Sequence, residues 1–374
     1  MNSSFPSFVR VQAQALKEFT WQVFQKVNVA REDARIAAEV LVAADLRGVA
    51  SHGVAHLRRY VDGLRHGLIA ARPSERVIVE TPSTATIDAG NGLGQPVAYR
   101  AMQRAIQKAR EVGTGFVNVR HSNHYGIAAY YAMLALEHDC IGLSLTNASP
   151  LVLPTFARQP MLGTNPISVA VPAGQARPYV LDMATSTVAL GKYEVAERLG
   201  QPAPAGWAVK VDGTPLTDAN EAMDKFRRRT GVGLLPLGGE GELHGGHKGF
   251  GLAVWVDVMC GVLSGAGYAN LIAQRGPDHQ PQVANVGHFF GAWRIDAFRP
   301  VAEFKAAMDD LQQRLKAAPK ADGRERIYLA GEKEFEATER HLRDGIPLDP
   351  KLAAGLRLIA QELAVEFKLD FLPG

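Results

Sequence analysis

Residues 237–251 read LGGEGELHGGHKGFG. Seven glycines lie between Gly238 and Gly251, with His244, His247 and Lys248 among them. The backbone N–H groups of such a loop, together with Lys248, suit a phosphate or pyrophosphate. The loop is nevertheless no Walker A motif, because no Gly-Lys-Ser/Thr occurs in it. A G-x-G-x-x-G fingerprint after an early strand is also missing. The nearest candidate, GNGLGQ at 90–95, has the wrong spacing and runs into Pro96. The pattern therefore disfavours a standard Rossmann domain and predicts that a nucleotide is held by other parts.

The segments on either side set the fold class. From Phe250 the loop enters the most apolar stretch of the chain, FGLAVWVDVMCGVLSGAGYANLIA. Asp257 and repeated glycines argue against a membrane span, which needs ~20 apolar residues with few charges. A helix buried in a large soluble core is expected instead. Toward the N-terminus, apolar spacing predicts helices over 31–48 and 57–68, closed by Gly48 and by Gly67 with Pro73. Strands are expected at 75–80 and 84–90, a helix at 95–113, and a strand at 115–120. A helix over 127–139 follows, then strands at 141–149, 163–173 and 178–186, the last two parted by a turn near Gly174. Residues 188–199 read as helix, and 207–217 as a hairpin with Asp212-Gly213 in its turn. From Val301 the pattern is mostly helical, broken at 325–334. Helices at both ends thus enclose a strand-rich middle. The expected organisation is one helical domain from residues 1–75 and 300–374, with an α/β domain inserted over 76–299.

Composition excludes several classes. The chain has 374 residues, 47% hydrophobic and 21% charged, with a net charge of +3. That is ordinary for a soluble globular protein and offers no basic surface for nucleic acid. Lys225 to Arg229 is a short cationic run that reads as a solvated face. Cys140 and Cys260 stand 120 residues apart with no metal-ligand spacing, so a reducing cytoplasm and no disulfide are expected. The opening MNSSFPSFVRVQAQ lacks the apolar run of a signal peptide. His52 and His56 are four apart but lack the Glu of a zinc protease motif, and no metal site is expected. Ser51-His52 lacks the G-x-S-x-G elbow of a hydrolase.

Three segments carry chemistry. In FVNVRHSNHYG (116–126) a strand runs into a helix, placing His121, Ser122, Asn123 and His124 at a strand end, where α/β folds gather ligands. LDMATS (181–186) ends an apolar run in Asp182, an acid suited to ribose hydroxyls, followed by small residues that admit a ligand. Ser51-His52-Gly53 interrupts good helix with an imidazole whose ordinary pKa of ~6.5 suits proton transfer near neutrality.

In order, SHGVAHLRRY, NHYGIAAYYA, GTNPISVAVP, LDMATSTVALGK, WAVKVDGTPLTD, LPLGG and GGHKGFGL resemble the malate/L-lactate dehydrogenase family of type 2. The resemblance runs from about Phe8 to about Gly345. It implies an α/β fold with a non-Rossmann NAD(P)-binding domain, a largely antiparallel sheet and a helical domain from both termini. It implies a homodimer and an NAD- or NADP-dependent oxidoreductase interconverting a small 2-hydroxy acid and 2-oxo acid. Members also act on ureidoglycolate, sulfolactate, diketogulonate or a cyclic imine, and a non-catalytic ligand-binding homologue is the distant alternative. By this resemblance His52 is the proton donor and acceptor, supported by Ser51. His124 stands near substrate and nicotinamide, with Asn123 beside it and Thr164 lining the site. Asp182, Met183, Ala184 and Thr185 match one cofactor-binding stretch, His247, Lys248 and Gly249 a second, and Gly331, Glu332 and Lys333 a third. Many members carry an arginine where this chain has His56, so His56 or Arg58 is expected to meet the substrate. Lys192, expected to bind the substrate, stands where the imine reductase has an acid, which favours the hydroxy-acid branch.

Overall fold

The computed structural model describes residues 8–273, 280–369 and 371–372. The first seven residues, part of the segment read above for a signal peptide, lie outside them. The chain opens with β1 (Val9–Val11), α1 (Ala13–Lys26) and α2 (Arg31–Leu46). A single 3-10 turn (Val54–His56) then leads into α3 (Leu57–Arg65). Next come β2 (Arg76–Glu80), β3 (Thr84–Asp88), α4 (Gly94–Val112), β4 (Thr114–Ser122), α5 (Ala128–Met133), β5 (Cys140–Thr146), β6 (Ile167–Val171) and β7 (Tyr179–Met183). After them run α6 (Gly191–Leu199), β8 (Ala208–Lys210), α7 (Ala219–Arg228), β9 (Val232–Leu234), α8 (Gly246–Asp257) and β10 (Val286–Arg294). The chain closes with α9 (Val301–Ala317), α10 (Glu332–Asp344), β11 (Ile346–Leu348), α11 (Pro350–Leu363) and β12 (Phe371–Leu372).

Seven strands form the main sheet in the order β2-β3-β4-β10-β5-β6-β7. Only β3 and β4 run parallel, and α4 supplies the crossover that such a pair requires. Every other neighbouring pair is antiparallel, as the family resemblance implied. The sheet's central strand, β10, is absent from the sequence reading. Gly287 and Gly291 interrupt its alternation. A Cβ on Gly287 would sit 1.8 Å from the Cys260 carbonyl, so the strand accepts only glycine there. Helix α1 is a second element that the sequence reading passed over.

One core joins the ends of the chain. Val11, Leu16, Phe24, Leu41, Leu57 and Tyr60 pack with Ile346, Leu356 and Ile359. A second lies between α4 and the sheet, around Ala101, Met102, Val117, Val119 and Phe290, and takes in Ile36 and Val40 of α2. Helix α2 therefore belongs to both cores and fixes one against the other. Helix α9 is tied to the β6–β7 turn, where Asp309 accepts the N–H groups of Gly174, Gln175 and Ala176.

Residues 207–217 form the expected hairpin at Gly213, with Lys210 donating to Thr214, Leu216 to Ala208 and Val209 bridged to Pro215, and β9 pairs with β8 as a further partner. One local expectation changes. The apolar stretch from Phe250 is helix only to Asp257, continues as a π-helical turn over Val258–Val262, and is not fully buried. Ala253, Val256 and Cys260 face the interior, whereas Trp255, Val258, Val262 and Leu263 stay exposed. No described helix is long and apolar enough to cross a membrane.

Candidate active site

The Ser51-His52-Gly53 corner is built by the end of α2. Asp45, in the last turn of that helix, is buried, and its Oδ2 accepts the Val54 N–H at 2.8 Å. The carboxylate occupies the space a side chain on residue 53 would need: a Cβ there would lie 2.0 Å from Oδ1. Gly53 therefore lets the chain double back over Asp45, and the His52 N–H donates to the Val49 carbonyl. From the other side, α6 presses Gly191 against Ser51, where a Cβ would come within 2.3 Å of the serine Cβ. Held between these two contacts, Ser51 Oγ lies 2.9 Å from His52 Nδ1.

His124 follows β4 and meets this corner. Its ring centroid lies 5.6 Å from that of His52 and 5.2 Å from that of His56. Tyr60 Oη is 2.6 Å from His124 Nδ1. All three imidazoles titrate below the ordinary histidine range. Burial is the main cause, and the positive Arg59 is the next. His52 is drawn down to about 4 and His56 to about 3.

The corner divides a two-lobed cleft. The larger lobe, about 450 Å³, has small apolar walls at Ala128, Ala129, Val180, Ala184 and Ala189, with Arg47, Lys192 and Lys333 along it. The smaller, about 160 Å³, holds His56, Arg59, His124, Thr146, Asn147, Ser149 and Glu194. Ser51, His52, Gly126, Thr164, Pro166 and Ala189 border both lobes. In the larger lobe the Asp182 carboxylate accepts the Ala129 N–H at 2.9 Å. The surrounding walls push its pKa up to about 6, although the group stays open to the water of the cleft. Gly331 (φ +92°) packs on Val180, whose N–H donates to Ala330, so this segment borders the β7 edge of the sheet and closes that side of the cleft.

The structure thus brings Ser51, His52, His56, His124, Thr164, Asp182, Ala184, Lys192, Gly331 and Lys333 to one cleft. Other expected residues lie elsewhere. Arg58 pairs with Glu362 through two contacts of 2.6 and 2.9 Å, and its neighbour Arg59 faces the lobe instead. Asn123 is buried and donates to Asn91 and Gly92, tying two loops together. Of the HSNH run only His124 reaches the cleft, since His121 pairs with Asp88 and Ser122 with His288. The Thr185 hydroxyl donates to the carbonyls of Thr164 and Asn165. Met183 pairs with Ile167 inside the sheet. Glu332 is buried, paired with Lys316, and accepts the Leu329 N–H. His247 is not among the cleft-lining residues, and Lys248 and Gly249 border a separate recess with Leu237, Gly238 and Leu252. A Cβ on Gly249 would strike the Leu237 backbone at 2.2 Å, so this glycine serves helix packing.

Sequence reasoning passed over Arg47, Thr146, Asn147, Tyr60 and Tyr328. Thr146 and Asn147 carried a usable signal, because they end a strand of the sheet. Among the described residues no three His, Cys, Asp or Glu side chains converge to hold a metal.

The malate/L-lactate dehydrogenase family profile matches residues 11–357. The chain is 45% identical over 360 residues to a malate dehydrogenase of Pyrococcus horikoshii, covering 96% of this chain and 97% of that one. It is 36% identical over 352 residues to an L-sulfolactate dehydrogenase of Methanocaldococcus jannaschii, covering 94% and 96%. The crystal structure of malate dehydrogenase from Entamoeba histolytica superposes with a TM-score of 0.92 at 35% identity, over 96% of this chain and 99% of that one. The motifs, the mostly antiparallel sheet and these likenesses agree: the chain belongs to the malate/L-lactate dehydrogenase family.

Proposed function

We propose that this 2-hydroxyacid oxidoreductase interconverts malate and oxaloacetate, with NAD or NADP in the larger lobe and the substrate in the smaller. The observation that carries the reading is the placement of Arg59 beside the three neutral imidazoles of His52, His56 and His124. Its guanidinium has no hydrogen bond or close ion pair among the described residues, and the Glu194 carboxylate of the same lobe acts on it only at longer range. A cation there with no close partner suits an anionic substrate, and a neutral imidazole suits the proton of its hydroxyl.

The larger lobe fits a dinucleotide by its chemistry. Its alanines leave room for flat rings, and Arg47, Lys192 and Lys333 supply charge for phosphates. A nicotinamide held there would supply the acceptor or donor of the hydride exchanged at C2 of the hydroxy acid. His52 accepts the hydroxyl proton in the oxidative direction and donates it in the reductive one. Ser51 engages Nδ1, so Nε2 is the atom that exchanges the proton. Arg59 binds the carboxylate and sets C2 between His52 and the larger lobe. Once bound, that carboxylate offsets the field of Arg59 and makes protonation of His52 easier, as the reductive direction requires.

In this reading the two histidines come from different domains, His52 from the terminal helical one and His124 from the sheet. The exposed apolar face of Trp255, Val258 and Val262 supports a homodimer, because a monomer rarely leaves such a patch open. The two free, buried cysteines support a cytoplasmic setting. Initial rates of NADH and NADPH oxidation test the substrate, with oxaloacetate, pyruvate, sulfopyruvate, 2-oxo sugar acids and a cyclic imine carboxylate compared. Oxaloacetate should give the highest kcat/KM. A higher value for another substrate replaces it, and no turnover on the whole panel overturns the reading.

A further inference from the structure

His124 Nδ1 has two hydrogen-bond neighbours. Tyr60 Oη lies 2.6 Å away, and the backbone N–H of Gly126 points at the same atom from 3.4 Å. A backbone N–H can only donate, so Nδ1 meets it with its lone pair and carries no hydrogen. The Tyr60 hydroxyl must then donate as well. Burial pushes this phenol above its ordinary pKa, so its proton is retained. The arrangement depends on glycine at 126. That residue sits at φ +86°, and a Cβ would come within 2.7 Å of Val40.

A neutral imidazole with a bare Nδ1 carries its hydrogen on Nε2. Nε2 of His124 has no partner among the described residues, and the ring lines the smaller lobe. His52 is held differently: its Nδ1 meets a serine hydroxyl, which can donate or accept, so either protonation state is accommodated.

We infer that Tyr60 and Gly126 fix His124 as a neutral hydrogen-bond donor, whose Nε2–H polarises the substrate's C2 oxygen while His52 alone moves the proton. Tyr60 is thus a positioning residue, acting on the reaction through His124. In reduction the hydride adds to C2, the oxygen gains negative charge against the His124 N–H, and His52 delivers the proton to it. A fixed donor at that oxygen favours the charged transition state over the ground state. The catalytic role rests on the smaller lobe being the oxoacid site. The tautomer does not.

Long-range ¹H–¹⁵N spectra of histidine-labelled protein without substrate read the tautomer directly. Wild type should show His124 protonated at Nε2 only, and Tyr60→Phe should show a mixture of tautomers. Kinetics read the role. His124→Ala should lose about 10²-fold in kcat, as expected for a lost oxyanion donor. His124→Gln, whose amide donates a hydrogen bond and carries no transferable proton, should recover at least about tenfold of that loss. Tyr60→Phe should lower kcat more than it raises KM. A wild-type His124 protonated at Nδ1 overturns the assignment whether or not any substrate turns over. A correct tautomer with His124→Gln as inactive as His124→Ala overturns the donor role.

Discussion

Arg58 and Arg59 are neighbours on α3 with opposite environments. Arg58 forms a two-pronged ion pair with Glu362 of α11, while Arg59 stands without a close ion pair or hydrogen bond at the histidine lobe, with Glu194 acting on it at longer range. If Arg59 binds the carboxylate, Arg59→Gln removes a charge-assisted bond of about 1.5–3 kcal/mol and raises the KM for the 2-oxo acid by about 10- to 100-fold. Arg58→Gln breaks only a solvent-exposed pair and should leave KM within about twofold. Steady-state kinetics on both variants check this, and the reverse ranking refutes the assignment.

The same cation sets a pH limb. Burial and Arg59 hold His52 at about 4, below its ordinary 6.5. His52 must be neutral to accept the hydroxyl proton, so kcat/KM for oxidation should be flat near neutrality and fall as pH drops through that pKa. Removing Arg59 takes away a positive neighbour and raises the pKa of His52. In Arg59→Gln the acid limb should therefore move to higher pH. A limb that stays in place would show that the titrating group is elsewhere.

Loss of His52 should separate chemistry from binding. His52→Ala is expected to lower kcat by about 10²-fold or more, the range for a general acid–base group. NADH affinity, followed by fluorescence titration, should change little, since most of the larger lobe is untouched. Turnover near wild type would remove His52 from the mechanism.

Gly191 should matter as much as a polar site residue. A Cβ there would lie 2.3 Å from the Ser51 Cβ, so one of the two segments must shift. Gly191→Ala should cost about 1–3 kcal/mol of stability through overpacking. By displacing Ser51 it should also lower kcat at least about tenfold, because misplacing a reacting group is costly. Thermal unfolding and kcat on one preparation test both effects. Unchanged kcat would show that the Ser51–His52 pair tolerates displacement.

Asp45 should make stability depend on pH. Burial raises its native pKa from 3.8 to about 7, so the folded state keeps a proton that the unfolded state has released. The resulting stabilisation is complete below pH ~3.8 and is lost as pH rises through the native value. Between pH 5 and 8 this group alone should cost on the order of 3 kcal/mol. Asp45→Asn keeps an acceptor for the Val54 N–H and does not titrate, so its unfolding free energy should change less over that interval. Parallel slopes for the two proteins would place the titration elsewhere.

The local stretches of this chain determined much about the protein by themselves. The missing fingerprints at residues 90–95 and 237–251 disfavoured a standard Rossmann domain. Helical and alternating periodicity placed α2, α3, α4 and most strands of the sheet. Ser51, His52, His124 and Asp182 stood out because polar residues break apolar patterns at element ends, a signal contained within a few residues. Tertiary structure decided what depends on distant partners. Successive residues of a helix point about 100° apart, so the choice between Arg58 and Arg59 was made by Glu362, 304 residues away. The setting of β10 between β4 and β5 rests on Gly287 fitting against Cys260, a contact that no periodicity encodes. The proton on His124 is placed by the Gly126 N–H together with Tyr60, the latter across a gap of 64 residues. Periodicity reports which face of an element is apolar. Only packing reports what covers that face, and the covering groups set charge, tautomer and reach at this site.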